Sequence, residues 1–209
     1  MLPIAPSLAA EAARLAPYAA AYDALIAGMV ARGAGRRAPR VGQAFPGFAL
    51  PDATGRFHSL AELLAGQDAL VLSFHRGLWC PWCRVESQGW AEAGPHLAAA
   101  GARLVTISPE LDGRAGAIAA RAGALGLCDV DLGLCLALGL AIALPPELVA
   151  DYARGGDDLV ALTGGSGRLL PIPATFLLDR AGIVRFAFVD PDFRRRAEPA
   201  MVLGMLDRI

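Results

Sequence analysis

The chain has 209 residues and a mass of 21.7 kDa, a length that predicts one domain of ~150 residues with some extra chain. Hydrophobic residues make up 55% and charged residues 19%, a balance that excludes disorder and supports a buried core. The net charge of −1 leaves no global field to hold nucleic acid, and the absence of lysine excludes a Schiff base and a lysine-bearing phosphate loop.

Residues 7–31 read as helix. Ser7 is placed to cap it, and Leu8, Leu15, Tyr18, Tyr22, Leu25, Ile26 and Met29 fall on one stripe. The stretch Arg32–Arg40 carries four arginines without interleaved aromatics, so it reads as a solvated Gly/Pro linker rather than a nucleic-acid patch. The domain boundary follows: an N-terminal helix and linker over 1–40, and an α/β domain over 41–209. Phe48–Phe57 predicts a hairpin, Ser59 caps a short helix over Leu60–Leu64, and Ala69–Phe74 has the length and apolarity of a buried strand. A helix follows Cys80, with a break or kink expected at Gly94-Pro95 and an end at Gly101. Leu104–Ser108 predicts a strand and Arg114–Leu125 an Ala-rich helix. Between 126 and 170 only short helices near Leu134–Leu140 and Pro145–Tyr152 are legible, followed by the plain loop Thr163–Arg168. Two strands, Thr175–Leu178 and Ile183–Val189, flank the turn Asp179–Gly182 as an antiparallel hairpin, and Glu198–Ile209 closes the chain as helix. The alternation predicts a three-layer α/β sandwich with a mixed central sheet and an N-terminal helical extension.

No membrane span is expected. The longest apolar run, Leu132–Pro146, has 15 residues against the ~20 that a span needs. Residues 1–10 lack the basic start of a secretory signal, so a cytoplasmic protein is expected.

Four cysteines are present: Cys80, Cys83, Cys128 and Cys135. Trp79-Cys80-Pro81-Trp82-Cys83 follows a buried strand and opens a helix. With Cys80 at the N-cap, Pro81 takes the favoured first helical position. The Cys80 sulfur could then accept from the backbone N–H of the first turn and feel the helix dipole, which lowers a thiol pKa. Cys83 lies over the same turn, close enough for an intramolecular disulfide. The competing reading is half of a zinc site, which needs two more soft ligands. Cys128 and Cys135 sit in an apolar stretch and read as small buried hydrophobes, with a back-up resolving thiol as the alternative.

Phe74-His-Arg-Gly-Leu-Trp-Cys-Pro-Trp-Cys83 resembles the active-site strand, loop and helix of thioredoxin-fold proteins. More specifically, it resembles peroxiredoxin-like members of the alkyl hydroperoxide reductase / thiol-specific antioxidant family. Thr106–Pro109, Pro171–Asp179 and Phe188–Pro199 extend the likeness, which covers roughly 41–209. The resemblance implies a thioredoxin-like fold and a catalytic set of Cys80, Cys83 and Pro173, supported by Trp79, Arg76 and Glu86. Ungapped alignment places Cys83 at the peroxidatic cysteine, Cys80 at a conserved Thr and Arg76 at a conserved Pro of true peroxiredoxins. Pro173 stands where those carry an Arg and where thioredoxin-like proteins carry a cis-proline. Arg76 or Arg84 could supply a donor to the departing oxygen. Glu86 could move a proton for the thiol. His75 is a lesser candidate, Trp79 covers the disulfide and docks partners, Trp90 reads as core, and Arg194–Arg196 reads as a solvated turn. Helix position favours Cys80 as the attacking sulfur and the alignment favours Cys83, so the order stays open.

The expected function is a thiol-dependent antioxidant oxidoreductase that reduces peroxides through a reversible Cys80–Cys83 disulfide. An external thiol reductant of thioredoxin or glutathione type would restore it. A protein-disulfide reductase is the alternative, and a zinc-stabilised non-catalytic module a third reading. No cofactor, metal, nucleic acid or membrane partner is expected. The apolar N-terminal helix is compatible with a homodimer and equally with burial in the monomer.

Overall fold

The computed structural model describes residues 2–206, 208 and 209; Met1 and Asp207, the latter inside the predicted last helix, lie outside the described residues. The elements in chain order are α1 (Ala5–Arg14), α2 (Ala19–Ala31), β1 (Ala49–Pro51), β2 (Phe57–Ser59), α3 (Leu60–Leu64), β3 (Ala69–Phe74) and α4 (Pro81–Ala99). Then come β4 (Ala102–Ser108), α5 (Arg114–Ala122), β5 (Leu125–Cys128), α6 (Gly133–Ala137), β6 (Ala141–Ala143) and α7 (Pro146–Arg154). The chain ends with α8 (Leu159–Thr163), β7 (Leu169–Pro171), β8 (Ala174–Asp179), β9 (Val184–Val189) and α9 (Pro199–Leu206).

Five strands form the central sheet in the order β5-β4-β3-β8-β9. β3, β4 and β5 run parallel, β8 runs antiparallel to β3, and β9 antiparallel to β8, so the sheet is mixed as predicted. β3 and β8 are buried throughout, which fits their unbroken apolar runs. Alternation along β3 divides the core: Val71 joins Trp90, Leu97, Leu104, Leu177 and Val202 on the face covered by α4, α5 and α9, while Leu70, Leu72 and Phe74 join Leu63 and Phe176 in the larger cluster. This is a three-layer α/β sandwich.

Four local readings differ. The predicted helix 7–31 is broken at Leu15–Tyr18 by a 3₁₀ turn containing Pro17, which has no N–H to continue the ladder. Ser7 is not the cap: helix α1 starts at Ala5, and the Glu198 carboxylate accepts from the N–H groups of Ile4 and Ala5, both at 2.8 Å. Conversely, α4 runs unbroken through Pro95, because Trp90, Ala93 and Leu97 on one face are buried against the sheet and outweigh the proline. The Arg32–Arg40 stretch is turned chain rather than free linker, with Ala38 buried and Gly35 close under Val189. Tyr22, Leu25 and Met29 of α2 belong to the same core cluster as the sheet. The strands β5, β6 and β7 and the helix α8 went unread from sequence. No helix among the described residues is long and apolar enough to cross a membrane.

Candidate active site

The site is built where β3 hands over to α4. β3 ends at Phe74 opposite Ala174, so the next antiparallel pair sets His75 beside Pro173. The loop 75–80 then turns under the buried Glu110, whose Oε2 accepts from the Leu78 N–H at 2.7 Å. Gly77 is required there: its φ is +137°, and a Cβ would lie 2.5 Å from the Glu110 carboxyl carbon. Cys80 takes the N-cap position with extended backbone and Pro81 the first helical position, as predicted. The expected cap bond is absent, however, because the Cys80 side chain accepts nothing from the helix N-terminus.

Donors converge on Cys83. The Arg76 backbone N–H points at its Sγ from 3.4 Å, and Arg196 Nη2 from 3.5 Å. Burial alone pushes a thiol up, but hydrogen bonding from Cys80, the Arg196 guanidinium and His75 together hold Cys83 well below the ordinary thiol range. Cys80 is driven the other way, by burial first and then by its negative neighbour Cys83. Both cysteines are free and neither sulfur-bearing residue is exposed. The donors thus favour the anion at Cys83 and the neutral thiol at Cys80.

Arg196 reverses its sequence reading. It is a buried side chain, not part of a solvated turn, although Arg195 nearby is exposed. Its Nε donates to Glu86 Oε2 at 2.6 Å while Nη2 faces Cys83, and Nη1 donates to the carbonyls of Phe193 and Arg195. A guanidinium can do this because its donors form a rigid fork. Glu86, fully buried, thus orients the arginine rather than touching the sulfur. The carboxylate also accepts from Ser73 Oγ (3.0 Å), Trp90 Nε1 (3.4 Å) and Thr175 Oγ1 (3.5 Å). With its proton committed to Glu86, Ser73 Oγ accepts from His75 Nε2 at 2.9 Å. His75 is buried, which by itself lowers its pKa, yet Glu86 and the Cys83 sulfur raise it overall. Sequence reasoning placed His75 among the lesser candidates and missed Arg196, whose only local signal was burial-compatible spacing with Phe193 and Ala197.

The remaining candidates divide. The Arg76 side chain lies in a cage of Trp79, Tyr152 and Phe193 rings. Arg84 Nη1 is held by the Leu78 and Trp79 carbonyls, both at 3.0 Å, so it fixes the loop and is not aimed at Cys83. Trp79 is half-buried, donates to the Arg76 carbonyl at 3.1 Å and packs edge-on against Tyr152. Pro173 is buried where expected, but the cis bond implied by the thioredoxin resemblance is not found: no cis peptide occurs among the described residues. Residues 172 and 173 pass from β7 into β8 with neither turn nor bend, a path that suits the trans default. Cys135 is buried and Cys128 half-buried, its Sγ donating to the Glu110 carbonyl at 3.2 Å. No group of three or more His, Cys, Asp or Glu is placed to hold a metal among the described residues. A cavity of about 780 Å³ between α2 and the β6–α7 segment contains none of the residues facing the sulfurs. A second, about 480 Å³, is lined by Arg76, Trp79, Pro81 and Trp82 and abuts the head of α4.

The sequence model of the AhpC/TSA family matches residues 41–187. No curated protein matches the chain by sequence at a significant level. Among solved structures, peroxidoxin BcpB from Mycobacterium tuberculosis superposes with a TM-score of 0.62 at 21% identity, covering 82% of this chain and 98% of that one. Peroxiredoxin Q of Xanthomonas campestris gives 0.56 at 21% identity over 77% and 90%. A cysteine-to-serine mutant of peroxiredoxin 6 from Arenicola marina gives 0.58 at 17% over 80% and 72%. These likenesses establish a thioredoxin-like fold.

Proposed function

The chain belongs to the AhpC/TSA family, and from that premise we propose that it is a thiol-dependent antioxidant oxidoreductase that reduces peroxides through a reversible Cys80–Cys83 disulfide, with Cys83 as the attacking sulfur. The observation that carries this reading is the convergence of the Arg76 N–H and the Arg196 guanidinium on Cys83. Among the described residues no such donors reach Cys80. The Cys83 thiolate attacks the terminal oxygen of ROOH and the O–O bond breaks. The leaving alkoxide takes a proton from His75 and departs as ROH, while Cys83 becomes the sulfenic acid. Arg196 compensates the negative charge that spreads over sulfur and oxygen. Cys80 then attacks the Cys83 sulfur; its proton leaves with the hydroxide as water, and the disulfide forms. Two thiols of an external thioredoxin- or glutathione-type reductant return the pair to the dithiol and become a disulfide themselves. Glu86 positions Arg196, and Pro173 backs the His75 strand end.

The complete burial of both sulfurs favours a small peroxide over a protein disulfide as oxidant in this form. Dimedone trapping tests the assignment. After one equivalent of peroxide, Cys80→Ser should carry one dimedone adduct, mapped to Cys83. An adduct at Cys80 in Cys83→Ser with none in the reverse variant reverses the roles. Peroxide oxidation no faster than that of a free thiol, alongside ready reduction of insulin disulfides, overturns the peroxidase reading.

A further inference from the structure

The loop that carries the Arg76 N–H toward Cys83 belongs to neither β3 nor α4. Its backbone N–H groups are tied at separate points. The His75 N–H donates to the Ile107 carbonyl at 2.8 Å, the Cys80 N–H to the Gly77 carbonyl at 3.2 Å, and the Leu78 N–H to Glu110 Oε2 at 2.7 Å. Gly77 stands in the middle at φ +137°. Glycine crosses between positive and negative φ with little cost, so the residue itself does not fix the peptide groups on either side of it.

Glu110, just past the end of β4, supplies what Gly77 lacks. Its carboxyl group fills the place where a Gly77 Cβ would stand, with Cδ 2.5 Å and Oε1 2.8 Å from that position. The same carboxyl takes the next N–H along the loop, that of Leu78. Its own backbone is anchored to neighbouring elements: the Glu110 carbonyl accepts from Cys128 Sγ at 3.2 Å, and the Leu111 N–H donates to the Leu162 carbonyl at 2.9 Å. The carboxyl is costly to keep there. Glu110 is 1% exposed, and its Oε1 has no hydrogen-bond partner among the described residues. Burial pushes the group up, toward the neutral acid, which still accepts through its carbonyl oxygen. An apolar side chain would avoid that cost but leave the Leu78 N–H without its acceptor. What the carboxyl adds is this one hydrogen bond, two residues from the N–H that faces the sulfur.

We propose that Glu110 is a positioning residue of the thiol site: by clamping Leu78 across Gly77 it keeps the Arg76 N–H aimed at Cys83. The inference rests on the reading of Cys83 as the attacking sulfur. Its test follows iodoacetamide alkylation of Cys83 against pH, with the modified cysteine identified by peptide mass. In Glu110→Ala the fall in rate should move up by about one pH unit, a tenfold lower rate below the displaced value, because a hydrogen bond to an anion is worth at least that much. Glu110→Gln keeps an acceptor oxygen and should keep the native profile. A native profile in Glu110→Ala would overturn the proposal. So would a fall moved to lower pH in both variants, which is the effect of removing a negative charge and not an acceptor. Should Glu110→Ala fail to fold, Glu110→Asp withdraws the acceptor by one methylene and should shift the fall in the same direction; a native profile there overturns the clamp. Amide hydrogen exchange of the unmodified chain gives a reading without any variant. The Leu78 N–H should exchange at least about tenfold more slowly than the exposed Gly165 N–H, and equal rates would overturn the clamp. Preferential alkylation of Cys80 in the native chain would instead refute the choice of attacking sulfur, before any variant is made.

Discussion

Four cysteines occupy two regions of this molecule, and burial does not distinguish Cys83 in one from Cys135 in the other. Cys83 at the head of α4 and Cys135 in α6 are both enclosed, and burial raises the pKa of each. What differs is the company. Cys83 faces Arg196, His75 and a donating thiol and ends well below the ordinary range, whereas Cys135 faces Asp129 and ends well above it. Cys128, beside Asp129 and Glu110, is pushed up to about 11, by burial first and by those acids after. Cations brought to Cys83 thus lower its pKa against burial, whereas at Cys135 and Cys128 burial and then carboxylates raise it.

The comparison breaks most sharply by removing sulfur. Cys83→Ser should lower peroxide turnover by at least ~10³-fold, while Cys128→Ser and Cys135→Ser stay within about twofold; reductant-coupled peroxide consumption measures all three. Cys80→Ser should lose disulfide-linked turnover and keep one stoichiometric oxidation, counted by thiol titration before and after a single equivalent of peroxide.

A subtler change alters the company and leaves the sulfur. In Arg196→Lys, one ammonium cannot serve both Glu86 and Cys83. The thiolate loses stabilisation, the Cys83 pKa rises, and a shift of one unit lowers the reactive fraction below that pKa about tenfold. The sign is fixed by the acid form being neutral: in the native chain, alkylation of Cys83 should be pH-independent through the ordinary thiol range and fall only as pH drops through the lowered value. In the variant that fall should move to higher pH, and iodoacetamide rates against pH would show it. No displacement would mean that Arg196 does not set the thiol. The smallest expected effect is structural. Glu198→Ala removes the acceptor for two N–H groups at the start of α1 and should cost about 1 kcal/mol, read from urea unfolding, with Cys83 reactivity unchanged.

Much of the site was written locally. The pattern of Pro81 after Cys80, on the heels of the Ala69–Phe74 run, placed a helix start at the end of a core strand, and Ser59 with Glu62 closed the capping box that begins α3. These are signals between residues a few positions apart, where side chain and backbone meet regardless of the rest of the chain. The Pro95 expectation failed for the opposite reason: local chemistry argued for a break, and a buried face carried the helix through.

By itself, the chain determined the strand–loop–helix that presents two sulfurs, the α/β alternation and the apolar runs that became β3 and β8, because propensity, capping and periodicity act within short windows. The tertiary structure alone decided which sulfur the cations reach. That choice depends on Arg196, 113 residues from Cys83, and on its Glu86 anchor. Coulomb interaction in a buried site acts over distance in space, which sequence separation does not record.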